Sequence, residues 1–225
     1  RLDERRQHAP RLVLTARGDP VYAGSAFGVV SQLVRRAAGL HEGEPPDQQY
    51  ARLKTHLAES FVDQEFLHTS EFLGVLVQIP TTDEPSPQLV AARNDARIMS
   101  EQLRQAFVSW LGALCSRRPV LLMLEDLQWG DLPSVTFLDS ALKTHAEEPL
   151  LILALARPEV HDEFPRLWTD AGLQEIGLGP LKPRAARKLI RAVLGKDVDD
   201  DTVTRIVTRA GGNAFYLEEL IRHVA

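Results

Sequence analysis

The chain has 225 residues, 44% of them hydrophobic and 25% charged, with a formal net charge of -5 and a pI near 5.8. That supplies the core of one large domain or of one domain with a small appendage, and the acidic balance argues against a dedicated nucleic-acid surface, whose footprint is basic. The single cysteine, Cys115, excludes an internal disulfide and fits a reducing, cytoplasmic setting, and the longest apolar run, Leu150 to Ala156, is too short to span a bilayer.

The chain opens Arg-Leu-Asp-Glu-Arg-Arg, with no Met and no apolar targeting segment, and is expected to be an excised piece of a longer protein. Arg1 to His8 reads as the last turns of a helix that Pro10 ends. Leu12, Val13 and Leu14 predict a short strand closed by Gly18-Asp19-Pro20. Phe27, Val30, Leu33, Val34 and Ala37 recur at helical spacing, which predicts a helix over Ser25 to Ala38 with Ser25 as its N-cap. After a loop from Gly39 to Asp47, Tyr50, Leu53, Leu57 and Phe61 mark a second helix. Phe66, Phe72, Leu73, Leu76 and Val77 mark a third. Ile79 to Pro87 breaks the pattern, and Leu103, Phe107, Trp110, Leu111 and Leu114 form the stripe of a longer helix that ends before Pro119.

Val120 to Leu124 is an unbroken apolar run that leads directly into two carboxylates, Glu125 and Asp126. Such a run predicts a strand buried on both faces of a parallel sheet, with ligands at its carboxyl end, where the acids emerge. Ser134 to Thr144 reads as a helix. Leu150 to Ala156 reads as a second fully buried strand ending at Arg157-Pro158, and Leu173 to Leu178 as a further strand. From Pro180 only helices are predicted, over Ala185 to Leu194, Thr202 to Ala210 and Phe215 to Val224. The organisation expected is an α/β core over residues 1–179 and a helical part over 180–225.

A carboxylate pair at the end of a buried strand suits a Mg²⁺ ion on one acid and, on the other, the water that attacks a nucleotide γ-phosphate. Arg157, at the end of the next strand, suits neutralisation of phosphate charge. The ordinary alternatives are a helix cap or solvated turn for the acids and a surface ion pair for the arginine. The histidines lack zinc spacing, so no transition-metal site is expected, and Ser25 and Ser31 lack a Gly-x-Ser-x-Gly setting. Trp110, Trp168 and Cys115 are expected in the core; whether Trp129 packs under the acidic pair is left open.

Four segments carry a resemblance. Leu-Leu-Met-Leu-Glu-Asp-Leu-Gln-Trp-Gly-Asp, from Leu121 to Asp131, resembles the Walker B segment of AAA-like, STAND-type signalling ATPases, members of the P-loop NTPase superfamily. Leu-Ala-Leu-Ala-Arg-Pro-Glu, ending at Glu159, resembles the sensor strand of that family. Ile176 to Leu181 resembles the entry to its helical lid, and Gly211 to Leu220 is similar to its Gly-Asn-Pro-Phe-Phe-Leu-Glu-Glu-Leu lid motif, with Ala214 in place of the proline.

The resemblance implies an α/β fold with a parallel P-loop-type sheet followed by the start of an α-helical lid, with Mg²⁺ and ATP as ligands in the intact protein. It places Glu125 at the metal, Asp126 at the attacking water, Arg157 as the sensor of γ-phosphate, and Gly212 and Asn213 near the base or phosphates. It further implies a regulatory module whose nucleotide state alters lid contacts. Its partners would be effector domains of the same polypeptide, such as a Ser/Thr protein kinase or nucleotide cyclase, or like subunits in a nucleotide-dependent homo-oligomer, with no direct nucleic-acid or membrane partner.

No Gly-x-x-x-x-Gly-Lys-Ser/Thr phosphate loop is present in the sequence. In this family the loop precedes the helix that Arg1 to His8 would finish, so it is expected upstream, and ATP hydrolysis depends on it. The implied strand order, 5-1-4-3-2, would then leave an empty position between the Leu150 strand and the Leu173 strand and expose two inner edges. The alternative is a non-catalytic interaction scaffold in which the acids are structural.

Overall fold

Three apolar runs become strands, and none exceeds six residues. In the computed structural model, which describes residues 11–21, 26–80, 84–195 and 197–224, they are β1 (Leu12–Arg17), β2 (Val120–Glu125) and β3 (Leu150–Ala154). They form a wholly parallel sheet in the order β1-β2-β3. Leu12 is level with Val120 and Arg17 with Glu125; Val120 is level with Leu150 and Leu124 with Ala154. Parallel neighbours require crossover connections. The β1-to-β2 crossover contains α1 (Gly28–Ala37), α2 (Pro46–Ala58), α3 (Asp63–Leu76), α4 (Pro87–Arg93) and α5 (Ala96–Arg117), and the β2-to-β3 crossover contains α6 (Leu132–Thr144). The fold is therefore mixed α/β, a small parallel sheet with many helices. Among the described residues no helix is long and apolar enough to cross a membrane.

Side chains alternate across a strand, and here the two faces differ. Val120, Leu122 and Leu124 are buried with Leu14 and Ala16 in a core shared with Val30, Leu33 and Leu138 of the flanking helices. Leu121 and Met123 on the other face are only half-buried, and Leu151 of β3 is 63% exposed. β2 and β3 are thus not the doubly buried strands that their unbroken apolar runs predict. Their second faces are incompletely covered, and among the described residues β3 is an edge strand.

The helices form largely where the apolar spacing places them, with ends set by local chemistry. α2 starts at Pro46, where a missing N–H costs nothing. Asp95 accepts from the N–H groups of Arg97 and Ile98 and so caps α5, whose Phe107, Trp110, Leu111 and Cys115 are buried. α4 lies just past the proline-rich break and is capped by the hydroxyl of Ser86. α1 begins at Gly28; the expected Ser25 cap, like the Arg1 to His8 helix, lies outside the described residues.

By internal contacts the chain divides into two units, Arg1–Leu173 and Gln174–Ala225. The first also holds α7 (Val160–Glu163). The second contains α8 (Pro183–Leu194), α9 (Asp200–Ala210) and α10 (Ala214–Arg222), packed on Ala186, Ile190, Val203, Ile206, Leu217 and Ile221. The strand expected over Leu173 to Leu178 does not form. Among the described residues the segment makes no strand pairing, and Leu178 is 90% exposed.

Candidate functional site

The site is built where β2 ends. Asp126, the first residue past the strand, adopts a left-handed conformation (φ 52°, ψ 42°) that Asp tolerates better than most residues. The chain therefore leaves the sheet at once and closes a single 3₁₀ turn over Leu127–Trp129, in which the Trp129 N–H donates to the Asp126 carbonyl at 2.9 Å. The Glu125 side chain stays on the strand's less covered face, half-buried, and makes no hydrogen bond or ion pair among the described residues.

Asp126 is held from two sides. Arg17, at the end of β1, places Nε at 2.8 Å and a terminal guanidinium nitrogen at 2.7 Å from Oδ2. Gln128 donates from Nε2 to Oδ1 at 3.4 Å. The Arg17 hydrogen bond holds the Asp126 carboxyl below the usual carboxylate range, against a small opposing effect of desolvation and with lesser contributions from Gln128 and the charge of Arg157. A carboxylate so stabilised is a weak base at neutral pH, but it still accepts a hydrogen bond from water.

The strands on either side are anchored to this turn. Gly18, just past β1, donates its N–H to the Glu125 carbonyl at 2.9 Å. A Cβ on Gly18 would overlap the Asp126 carbonyl oxygen and sit 2.8 Å from the Trp129 carbonyl carbon, so no larger residue fits without moving backbone. The Gln32 side chain pairs with both the N–H and the C=O of Arg17, at 3.0 and 2.9 Å. On the other side, the Arg157 N–H donates to Gln128 Oε1 at 3.1 Å.

Asp131 closes the turn and is only 6% exposed. Its Oδ1 accepts from the N–H groups of Ser134 and Phe27, both at 2.8 Å, and its Oδ2 accepts from the Ser134 hydroxyl at 2.8 Å and the Val29 N–H at 3.3 Å. One buried carboxylate thus caps two helices, α6 behind the turn and α1 across from it. Two helix N-termini compensate its charge, where no cation among the described residues does. Among the described residues the α1 cap comes from a residue about a hundred positions away.

A cleft of about 780 Å³ opens beside these groups, lined among others by Arg17, Gly18, Gln32, Asp126, Trp129 and Arg157. Trp129, 40% exposed, forms part of its wall; Trp110 and Trp168 are core residues, as expected. The structure brings Asp126 and Arg157 to one edge of the sheet, close enough for their charges to interact, whereas Glu125, the last residue of β2, is not among the residues that line the cleft. Gly212 and Asn213 belong to the helical unit. There Asn213 caps α10 by accepting from the Tyr216 N–H, and Gly212 takes a positive φ of 83° against Pro180.

Sequence reasoning missed Arg17, Gly18, Gln128 and Asp131 as site-building residues. The available signals were the glycine that directly follows an apolar strand and the Gln and Asp that follow the acidic pair. Among the described residues no cluster of three or more His, Cys, Asp or Glu is arranged to hold a metal ion.

Comparison with known proteins leaves the site to speak for itself. No family model matches the chain, and no solved structure matches it. A stretch of 142 residues is 29% identical to an uncharacterized protein of Rhizobium meliloti (strain 1021). The alignment covers 60% of this chain and 13% of that relative, so the chain spans only a small part of the length of the protein it resembles.

Proposed function

We propose that the α/β unit is part of an ATP-binding regulatory module of the AAA-like, STAND type, with a P-loop-type sheet, and that it contributes the metal-and-water side of the nucleotide pocket. The observation that carries this reading is the meeting of Asp126, at the carboxyl end of the central parallel strand, with Arg157, three residues past the end of the neighbouring strand, beside a cleft of about 780 Å³. Ligands of parallel α/β sheets bind at that edge. Arg157 makes no hydrogen bond or ion pair through its guanidinium among the described residues, which leaves it available to a phosphate.

The residues present fit a Mg²⁺ ion carried on a nucleotide. Such an ion takes one or two protein carboxylates and fills its remaining positions with phosphate oxygens and water. Glu125, without a partner among the described residues, can supply the one carboxylate, so the lack of a three-ligand cluster is no obstacle. When bound, the ion would neutralise charge on the β- and γ-phosphates. Asp126 would orient the attacking water rather than strip its proton, since Arg17 holds it as a weak base. Arg157 would contact the γ-phosphate. The phosphate-holding loop must come from elsewhere in the natural polypeptide. A further parallel strand at the open edge of β3 would bring such a loop beside Asp126 and Arg157.

A second reading, a non-catalytic scaffold, draws on the same carboxylate: Asp126 is already engaged at both oxygens by Arg17 and Gln128. Nucleotide titration and ATP turnover of the full natural polypeptide separate the two. Asp126→Asn is expected to bind Mg-ATP and to lower turnover by up to about a hundredfold, the cost of a misplaced attacking water. Equal turnover in the variant removes the role given to Asp126, and no nucleotide binding by the full polypeptide leaves the scaffold.

A further inference from the structure

The β2–β3 ladder runs past the ends of both strands and then loses a rung. The Leu155 N–H donates to the Leu124 carbonyl at 2.7 Å, the last regular rung; the Leu155 carbonyl then accepts at 3.1 Å from the Leu127 N–H, one residue past the Asp126 N–H that regular pairing would use. Continued parallel pairing would next have the Arg157 N–H donate to the Asp126 carbonyl. That carbonyl is not there to accept. The left-handed turn at Asp126 redirects it to the Trp129 N–H.

The Gln128 side chain takes its place. Oε1 accepts the Arg157 N–H at 3.1 Å, and Nε2 of the same amide faces Asp126 Oδ1 at 3.4 Å. The amide can point only one way, because a flipped NH₂ would meet the Arg157 N–H donor to donor. Gln128 is 4% exposed, so water does not substitute freely for either partner. The Arg157 guanidinium has no partner of its own among the described residues, and its place therefore depends on its backbone.

We infer that Gln128 is a positioning residue: its amide replaces the missing ladder rung and ties the Arg157 backbone, just past β3, to the Asp126 carboxylate, so that the root of the Arg157 side chain is held in place relative to that acid. The inference rests on the proposed function for its purpose, but not for its geometry. Anything that displaces the Asp126 carboxylate loosens the hold on Arg157, although Asp126 makes no bond to the Arg157 N–H. Coupling of this kind acts in both directions.

Amide hydrogen exchange on the 225-residue chain, without nucleotide, tests the link. In Gln128→Leu the Arg157 amide is expected to exchange about tenfold faster or more, while the Leu155 amide keeps its protection. Asp126→Ala is expected to speed Arg157 exchange severalfold as well. Asp126→Asn keeps an oxygen that can face Gln128 and restores protection. Because the Asp126 variants leave Gln128 in place, they carry the test if Gln128→Leu does not fold. Arg157 exchange in Asp126→Ala equal to that of the wild type overturns the coupling, and so does unchanged exchange in a folded Gln128→Leu.

Turnover by the full polypeptide tests the purpose. Gln128→Leu is expected to lower kcat about tenfold with KM for ATP changed by no more than about threefold; wild-type kcat overturns the positioning role. Failure of the ATPase reading shows separately, as absent turnover in the wild type, while the exchange results still decide the link.

Discussion

Asp131 allows the sharpest quantitative test of how this site is held. Asp131→Ala removes the cap of α6, at about 1 kcal/mol for a typical N-cap. It also strands the Phe27 and Val29 N–H groups, which among the described residues have no acceptor but this carboxylate. Leaving a buried donor unsatisfied costs about 1–3 kcal/mol each. The sum is on the order of 4 kcal/mol. Asp131→Asn is much milder, because its carbonyl can occupy the Oδ1 position and keep the bonds from Phe27 and Ser134. Only the Val29 contact, already long at 3.3 Å, turns donor to donor, and the Ser134 hydroxyl can rotate to suit. The expected loss for Asp131→Asn is about 1 kcal/mol. For a unit of this size 1 kcal/mol lowers Tm by about 2–4 °C, so Asp131→Ala should lose roughly 10 °C and Asp131→Asn only a few. All three tryptophans lie in the α/β unit, so thermal melts followed by tryptophan fluorescence report that unit alone. An Asp131→Ala protein within about 1 kcal/mol of wild type would falsify the double-cap argument. Asn and Ala variants equally destabilised would show that charge, and not acceptor geometry, is what matters.

Gly18→Ala places a methyl against backbone that has no flexible end to yield, and is expected to cost about 1–3 kcal/mol and to shift the amide resonances of Asp126 to Gly130; an unchanged melt with an unchanged turn would show that β1 does not bear on it. His56 accepts a hydrogen bond from the Trp110 indole at 3.1 Å. Burial, foremost, and then the charges of Arg117 and Arg118 lower its pKa against the opposing pull of Glu59. The neutral ring is therefore favoured in the folded state, and the unfolded chain takes up the proton first as pH falls. This contribution to stability is complete above the ordinary histidine pKa of about 6.5 and is lost as pH drops below it. His56→Gln can still accept from the indole but does not titrate, so its Tm should fall less than that of the wild type between about pH 7 and 5.5. Parallel Tm curves would remove His56 from the linkage.

What could be read in the sequence is what a strand or helix declares along its own length. The run Val120 to Leu124 leading into Glu125 and Asp126 placed the strand, its carboxyl end and the acids; the stripe of Phe107, Trp110 and Leu111 placed the long helix. Burial on the second face of the sheet could not be read, because an apolar side chain reports what it prefers and not whether a partner is there, and Leu151 is exposed for that reason. The residues that hold the acids were hidden for a different cause. Arg17 is 109 positions from Asp126, and Phe27 is 104 from Asp131. These pairs exist only once the β1-to-β2 crossover has laid two strand ends side by side. Gln128 is close in sequence to Asp126 and was still missed, since its task arises from a single backbone turn. While Asp126 stays left-handed its carbonyl is lost to the ladder and a side chain must fill the gap; in an extended conformation Asp126 would accept the Arg157 N–H itself, and Gln128 would have nothing to replace. The left-handed residue is thus the feature from which the rest of the site's support follows. It fixes the acid's direction and creates the vacancy that Gln128 fills. It also brings Asp131 round to the start of α6, from which it reaches the N-terminus of α1.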